Sequence, residues 1–304
     1  MSAHQRWRKL GLIFSCDGQS ESLYSHAAVP IAEPIDGSLY RIYFSSRDRT
    51  GRSHTNWITI DLEAPRNIVE LSHKPVLSPG NLGEFDDSGT MATWLVDFKG
   101  QRYLYYIGWN LGVTVPFRNS IGLATAIGDG SFRRAFPGPI VDRTRLEPHF
   151  CASCCVIPSN NLWRMWYLSC TDWRIRDCKV EHRYHIKYAE SSNGIDWARE
   201  GTVAIPYRND NEYAISRPSV LRENDRWRMW FSCRGDRYRL GYAESEDGKK
   251  WERMDHLVGL GLSKHGWDSE MIEYPFVFEH RGTHYMLYNG NQYGRSGFGL
   301  AVLD

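Results

Sequence analysis

The chain has 304 residues, and its 37 Lys and Arg against 36 Asp and Glu leave a formal net charge of +1. That balance gives no general attraction for nucleic acid or an anionic membrane surface. No apolar run approaches the ~18 residues that span a bilayer, and the basic residues 1–9 precede no long apolar segment, so neither a membrane span nor a leader peptide is expected.

In chain order, the first predicted element is a strand at residues 7–13. Five repeats follow, each an apolar run, an aromatic-dense strand and a Gly-flanked strand. The first members are placed at 27–33, 90–98, 151–158, 216–222 and 271–279. The second members include Tyr103-Leu104-Tyr105-Tyr106-Ile107, Trp163-Arg164-Met165-Trp166-Tyr167 and Trp227-Arg228-Met229-Trp230-Phe231. Third members lie at 56–62, 120–127, 185–191, 239–245 and 297–303. Fourth members lie at 68–71, 132–136, 197–204 and 251–256. The period of about 60 residues is that of one four-stranded propeller blade with its loops.

Only four fourth strands follow a third strand before Asp304. Trp7 and Gly11 match the spacing of Trp197 and Gly201, so the N-terminal strand is expected to complete the last blade and remove an exposed edge. The turns Asn193-Gly194 and Asp247-Gly248 supply the positive φ of tight hairpins. Helical periodicity is almost absent and no linker divides the chain. The expected architecture is all-β, a five-bladed β-propeller of four-stranded blades in a single domain over residues 1–304.

Seven cysteines, an odd number, accompany no Asn-x-Ser/Thr sequon, which points to a reducing, cytoplasmic compartment. Cys151 and Cys154 have CxxC spacing, but no second pair exists to complete a zinc site, so they read as buried small hydrophobes. His182 and His185, three apart on a strand, face opposite sides and do not make a two-His site. No metal or cofactor is expected.

The hairpin pattern Tyr-Ala-Glu-Ser-x-[Asn/Asp]-Gly-x-x-Trp at 188–197 and 242–251, with Tyr285-Met286-Leu287-Tyr288-Asn289-Gly290-Asn291, resembles the five-bladed propeller glycosidase superfamily of glycoside hydrolase families 43, 32, 68, 117 and 130. More narrowly, Arg47 to Ser53, Gly108 to Ser120, Glu212 to Pro218 and Gly266 to Met271 are similar to glycosidase-like proteins of bacterial surface-polysaccharide gene clusters. The resemblance implies a carbohydrate or sugar-phosphate ligand in the central funnel and a glycoside hydrolase-like reaction.

Residues at the start of each inner strand face the axis of a propeller. With the repeats aligned on Pro30, Trp94, Cys154, Pro218 and Pro275, acids concentrate five to seven positions upstream: Asp87, Glu147, Glu212, Asp268 and Glu270. Glycoside cleavage needs one carboxylic acid to protonate the leaving oxygen and one carboxylate as base or nucleophile. Asp87, Glu212 and Glu270 are therefore the candidate catalytic acids, with Glu147 and Asp268 behind them. Arg47, Arg52, Arg118, Arg217 and Arg234 suit bidentate binding of a carboxylate or phosphate. Trp109 and Tyr274 offer faces for sugar stacking, and His26 and Asn289 complete the candidate substrate-binding set.

The first repeat departs from families 43 and 32, which place an Asp on this inner strand; here Ser25-His26-Ala27-Ala28-Val29-Pro30 holds no carboxylate. Three readings follow: the acids have moved to other blades, His26 accepts the proton, or hydrolysis has been lost. A sugar-binding propeller without catalysis and a phosphate-dependent phosphorylase are the alternatives to a hydrolase.

Overall fold

The computed structural model describes residues 5–128, 130–176 and 178–304, so residues 1–4 of the basic N-terminal stretch lie outside it. Among the described residues the chain is all-β, without an α-helix. Strand β1 (Trp7–Phe14) comes first. A first group holds β2 (Ser25–Asp36), β3 (Leu39–Arg47), β4 (Ser53–Asp61) and β5 (Ile68–Leu71). A second holds β6 (Gly89–Phe98), β7 (Gln101–Leu111), β8 (Phe117–Ile127) and β9 (Ser131–Arg134). The third holds β10 (Cys151–Ile157), β11 (Trp163–Arg176), β12 (Lys179–Ser191) and β13 (Val203–Ile205). The fourth holds β14 (Ala214–Glu223), β15 (Arg226–Arg234), β16 (Tyr238–Ser245) and β17 (Glu252–Arg253). The last holds β18 (Glu273–His280), β19 (Thr283–Asn289) and β20 (Phe298–Leu303).

Within each group neighbouring strands pair antiparallel in chain order. The last group takes β1 as its fourth strand, with Trp7 opposite Leu303 and Arg8 opposite Val302. Single parallel rungs, Ser53 to Gly89 and Tyr184 to Ala214, join the first group to the second and the third to the fourth. The inner strands touch in sequence: β2 meets β6, β6 meets β10, β10 meets β14, β14 meets β18, and β18 meets β2 again.

Aromatic side chains from the middle strands lock one group to the next. The Tyr105 hydroxyl on β7 donates to the Gly194 carbonyl, 2.8 Å, in the next group's tight turn. The Trp166 indole on β11 donates to the Gly248 carbonyl at 2.8 Å, and the Trp230 indole on β15 donates to the Gln5 side chain at 2.9 Å. Both turns depend on glycine. Gly194 has φ +76°, and a Cβ there would lie 2.6 Å from the Trp163 ring. The serine that opens each turn, Ser191 or Ser245, accepts the glycine N–H through its Oγ.

The outer strand of the first group falls at Ile68–Leu71 as expected, while those of the next three groups are shorter than the sequence pattern suggests. The fourth shrinks to Glu252–Arg253 because an Asp255 side-chain oxygen accepts the Tyr242 N–H at 3.1 Å, and the chain then turns through a 3₁₀ segment, Asp255–Leu257. In the third, 197–204 reduces to Val203–Ile205 plus a lone bridge between Glu190 and Ala198. All seven cysteines are unpaired. Burial raises the Cys151 and Cys154 thiols to about 12, where they pack with core residues such as Val156 and Tyr167.

Candidate functional site

All five inner strands slip register at the same place. The slips fall after Ala28, Ala92, Ala152, Ser216 and Glu273, and each leaves one extra residue: Val29, Thr93, Ser153, Arg217 and Tyr274. Four of these bulge residues have positive φ: Val29 +51°, Ser153 +28°, Arg217 +55° and Tyr274 +55°. A bulge re-aims side chains, and non-glycine backbone in this region is costly to hold. Here the slips surround a cavity of about 360 Å³, whose lining draws on all five groups.

Of the candidates named from sequence, His26, Arg47, Trp109, Arg234 and Tyr274 line this cavity, together with Ser53, Phe117, Phe150, His182, Tyr184, Tyr238 and Tyr293. The Trp109 indole donates to Ser53 Oγ at 2.7 Å, which fixes the ring plane. His182 stacks on Tyr184 with centroids 4.8 Å apart, while His185 turns to the opposite face against Tyr207. Arg234 lies over Tyr213, Tyr238 and Tyr293 at 5.2, 5.5 and 5.6 Å, a tyrosine cage rather than an ion pair. Burial, followed by the charges of Arg47 and Arg295, lowers His26 to about 4. Burial and Arg234 do the same to His182, so both rings are neutral at pH 7.

Arg217 and Asn289 serve the frame. Arg217 is 2% exposed and donates to the carbonyls of Ala92, Val29 and Pro30 at 3.2 to 3.5 Å, tying three segments together near the axis. Asn289 is fully buried; its Oδ1 accepts the Val29 N–H at 2.8 Å, and its amide donates to the carbonyls of Ala27 and Gly297. It joins the last group to the first.

The acids named from sequence do not line the cavity. Glu147 accepts from Lys187 and Arg199 at 3.0 and 2.9 Å and from the Tyr167 hydroxyl. Asp268 accepts from Lys9 at 2.6 Å and from the Tyr288 hydroxyl. Glu212 takes both ends of Arg253 at 2.7 and 3.0 Å. Asp87 caps its own loop through Gly83, Ser88 and Asn110, and its neighbour Asp86 carries the equivalent pairing, with Arg134 and the Tyr106 hydroxyl. These four acids share one role. Each precedes an inner strand and reaches a cation at the outer edge of its group, and in three of them a tyrosine 20 residues on supplies a hydroxyl. Glu270 is exposed and pairs with Arg237 at 2.6 Å. Arg52 pairs with Asp48, and Arg118 points to solvent, its strand neighbour Asn119 facing the cavity.

One carboxyl that the sequence alignment passed over stands against the cavity. Glu273 is fully buried, and neither of its oxygens makes a well-formed hydrogen bond. Burial raises its pKa well above the ordinary carboxylate range; the Tyr274 hydroxyl and the Arg234 charge oppose this without offsetting it. Its charge is felt by Tyr184, Tyr238 and Tyr274, three cavity residues, and the first two share a short hydroxyl–hydroxyl bond. A signal was present in the sequence. Two positions before the alignment anchors, the repeats read Ala28, Ala92, Ala152, Ser216 and Glu273.

Among the described residues, one group of His and carboxylates has ligand atoms close enough to share a metal ion: Glu223, Glu279 and His284, within 4.8 Å of one another. They lie at the opposite ends of the inner strands from the cavity. There His284 already hydrogen-bonds Glu223, Arg228 pairs with Glu223, and the Gly282 N–H caps Glu279. No helix among the described residues is long and apolar enough to cross a membrane.

The fold recurs in solved structures. A glycoside hydrolase superposes with a TM-score of 0.75 at 17% identity, covering 97% of this chain and 90% of that one. A thermostable family-43 glycoside hydrolase gives 0.64 at 16%, covering 92% and 88%. A glycosyl hydrolase from Bacteroides ovatus gives 0.67 at 13%, covering 91% and 84%. At these identities the likeness establishes a propeller-glycosidase fold. No family model matches the chain. Two Mycobacterium tuberculosis proteins, uncharacterized proteins MT1551 and Rv1502, are each 42% identical to it over 298 residues, covering 98% of this chain and 99% of their own length. With identity of that order over the whole chain, the protein belongs to the family of these two mycobacterial proteins and shares its fold with the propeller glycosidases.

Proposed function

We propose that this is a carbohydrate-active, glycosidase-like protein that binds a sugar in the central cavity, with Glu273 as the proton donor to the leaving oxygen. The frame is a single domain of five blades, the last completed by β1. The unbroken order of inner-strand contacts, the β1–β20 pairing and the Asn289 seam support that reading. Trp109, Tyr238 and Tyr274 offer the aromatic faces on which sugar rings stack.

The observation that carries the proposal is Glu273. A carboxyl kept protonated by burial beside a cavity is the form in which a general acid works near neutral pH. Tyr274, the next residue in the chain, lines the cavity and its hydroxyl acts on the Glu273 carboxyl, so a proton can pass from Glu273 to a bound ligand through that hydroxyl. Glu273→Gln removes that proton while keeping the shape. Turnover of a panel of aryl glycosides and oligosaccharides should fall about 10²- to 10⁴-fold with sugar affinity little changed. Turnover that survives the substitution removes Glu273 from the chemistry.

A second reading, sugar binding without turnover, has one specific observation in its favour. No Asp or Glu among the described residues lines the cavity, so the second carboxylate of the two-carboxylate mechanism has no counterpart on its wall. That reading predicts saturable sugar binding by the wild-type protein and no product from any glycoside in the panel.

A further inference from the structure

Arg47 differs from Arg234, the other arginine that lines the cavity, in having nothing to hold. It ends β3 and opens into the cavity, where burial lowers its pKa. Among the described residues its guanidinium has no ion pair, no hydrogen bond and no aromatic face, whereas Arg234 rests in its tyrosine cage and Arg217 on three carbonyls. The nearest acid along the chain is already taken, because Asp48 accepts from Arg52, His54, Thr50 and two backbone N–H groups. Arg47 is exposed to the water of the cavity, so its fork is free to take an anionic ligand.

Two further groups converge on the same corner. His26 sits at φ +62°, with its Nδ1 3.0 Å from Ser25 Oγ. His26 and Arg47 both line the cavity, as does Tyr293 two residues before Arg295, and the charges of both arginines act on the His26 ring. Arg295 comes from the β19–β20 loop, which is built against β2. Gln292, Tyr293 and Gly294 are consecutively left-handed at +61°, +58° and +85°. The Gly294 carbonyl accepts the Ala27 N–H at 2.9 Å, and a Cβ on Gly294 would lie 2.7 Å from that of Ala28. Strained backbone held by a close approach fixes the loop at the cavity mouth. Like Arg47, Arg295 has no carboxylate partner among the described residues.

We propose that Arg47, His26 and Arg295 form an oxyanion subsite, and that the ligand is an acidic or phosphorylated sugar, or a neutral sugar taken together with inorganic phosphate. This rests on the reading that the cavity is the sugar site. It deepens that reading by assigning the ligand's charge. Two guanidiniums from two segments, with a neutral imidazole beside them, stand at one corner with no carboxylate lining it, so an anionic group finds charge partners there that a neutral sugar does not use. A phosphate or carboxylate group offers Arg47 the bidentate geometry it lacks in the protein.

The test is calorimetric titration of the intact protein with inorganic phosphate, glucose 6-phosphate, glucuronate and glucose, each at low and high chloride. At least one anion should bind more tightly than glucose and weaken with salt, as partly exposed charge pairs do. Arg47→Gln should reduce that affinity about tenfold or more, Arg47→Lys less, and Arg295→Gln less again. Thermal melts of each variant establish that it is folded. Preference for glucuronate or glucose 6-phosphate over free phosphate assigns the anion to the sugar. Phosphate binding that tightens glucose binding assigns it to a separate phosphate. Three results overturn the proposal: glucose binding as tightly as every anion, anion affinity unchanged in folded Arg47→Gln, or no anion binding at millimolar concentration. Glu273→Gln separates this proposal from the proton-donor reading, since it should abolish turnover while leaving phosphate affinity in place. If the wild type turns nothing over but holds phosphate through Arg47, the acid falls and the anion subsite stands.

Discussion

Replacing Glu212 with Gln should weaken the fold by about 2–4 kcal/mol and leave ligand affinity in the cavity untouched. The magnitude comes from what surrounds the carboxylate. Glu212 is 8% exposed, receives both ends of the Arg253 fork, and accepts the Arg208 N–H at 2.7 Å. Removing one partner of a buried pair commonly costs about 3–5 kcal/mol, because the charge left behind has lost its solvation. The loss is smaller here, since Arg253 keeps Asp255 at 2.6 Å and the glutamine oxygen can still accept one bond. Urea denaturation followed by tryptophan fluorescence reads the change as a shift in midpoint at constant slope.

The pH dependence supplies a second readout of the same substitution. Burial raises the Glu212 pKa, but the Arg253 hydrogen bonds, the Arg208 N–H and both charges outweigh it, so the folded value lies below the ordinary one. Such a group stabilises the fold above its unfolded pKa of about 4.3 and loses that contribution as pH falls through the folded value. The gap between wild type and Glu212→Gln should therefore close in acid. The double variant Glu212→Leu, Arg253→Met should recover much of the loss, as buried pairs replaced by apolar groups often do. A change below about 0.5 kcal/mol accompanied by collapsed turnover would refute the structural role and return Glu212 to the chemistry.

Glu273→Gln should affect stability in the opposite sense with pH. The folded pKa of Glu273 is raised, so its contribution is complete below the unfolded value and is lost as pH rises. Relative to wild type the variant should gain stability between about pH 4 and pH 7, measured as a difference in melting temperature; a difference independent of pH would mean that the buried carboxyl is not held protonated. Asn289→Ala should cost about 3 kcal/mol in urea denaturation, because it orphans the Val29 N–H and the carbonyls of Ala27 and Gly297 in a fully buried seam. A cost near that of an exposed Asn→Ala change would show that the first and last groups are not joined there.

The inner and middle strands were legible because their signal is local. Alternating apolar and aromatic residues bounded by glycine turns describe one strand at a time, and the Asn-Gly and Asp-Gly pairs mark their turns without reference to anything distant. The outer strands were less so. At β17 a side-chain oxygen of Asp255 replaces a ladder partner, and a propensity argument has no means of anticipating that substitution. Reading the acids required knowing where each carboxylate points, and a distant cation decides that: Arg134, Arg199, Arg253 or Lys9, on outer segments the spacing does not link to the acid.

Repetition itself can separate the two kinds of acid. Asp86, Glu147, Glu212 and Asp268 recur in four of the five groups, and a residue that recurs around a ring does what every group needs, here anchoring its own outer edge. Glu273 stands where the other four groups have Ala or Ser, three of which line the cavity. No packing requirement explains a carboxyl there. Burying it costs stability at neutral pH that an alanine would not, because the Tyr274 hydroxyl and the Arg234 charge do not offset its burial. Arg47 is a different case, since it lies exposed in the cavity without a counter-ion and its lack of a partner costs the fold little. In a repeat protein the position that breaks the column at a cost to the fold is the stronger candidate for chemistry than the position every repeat shares.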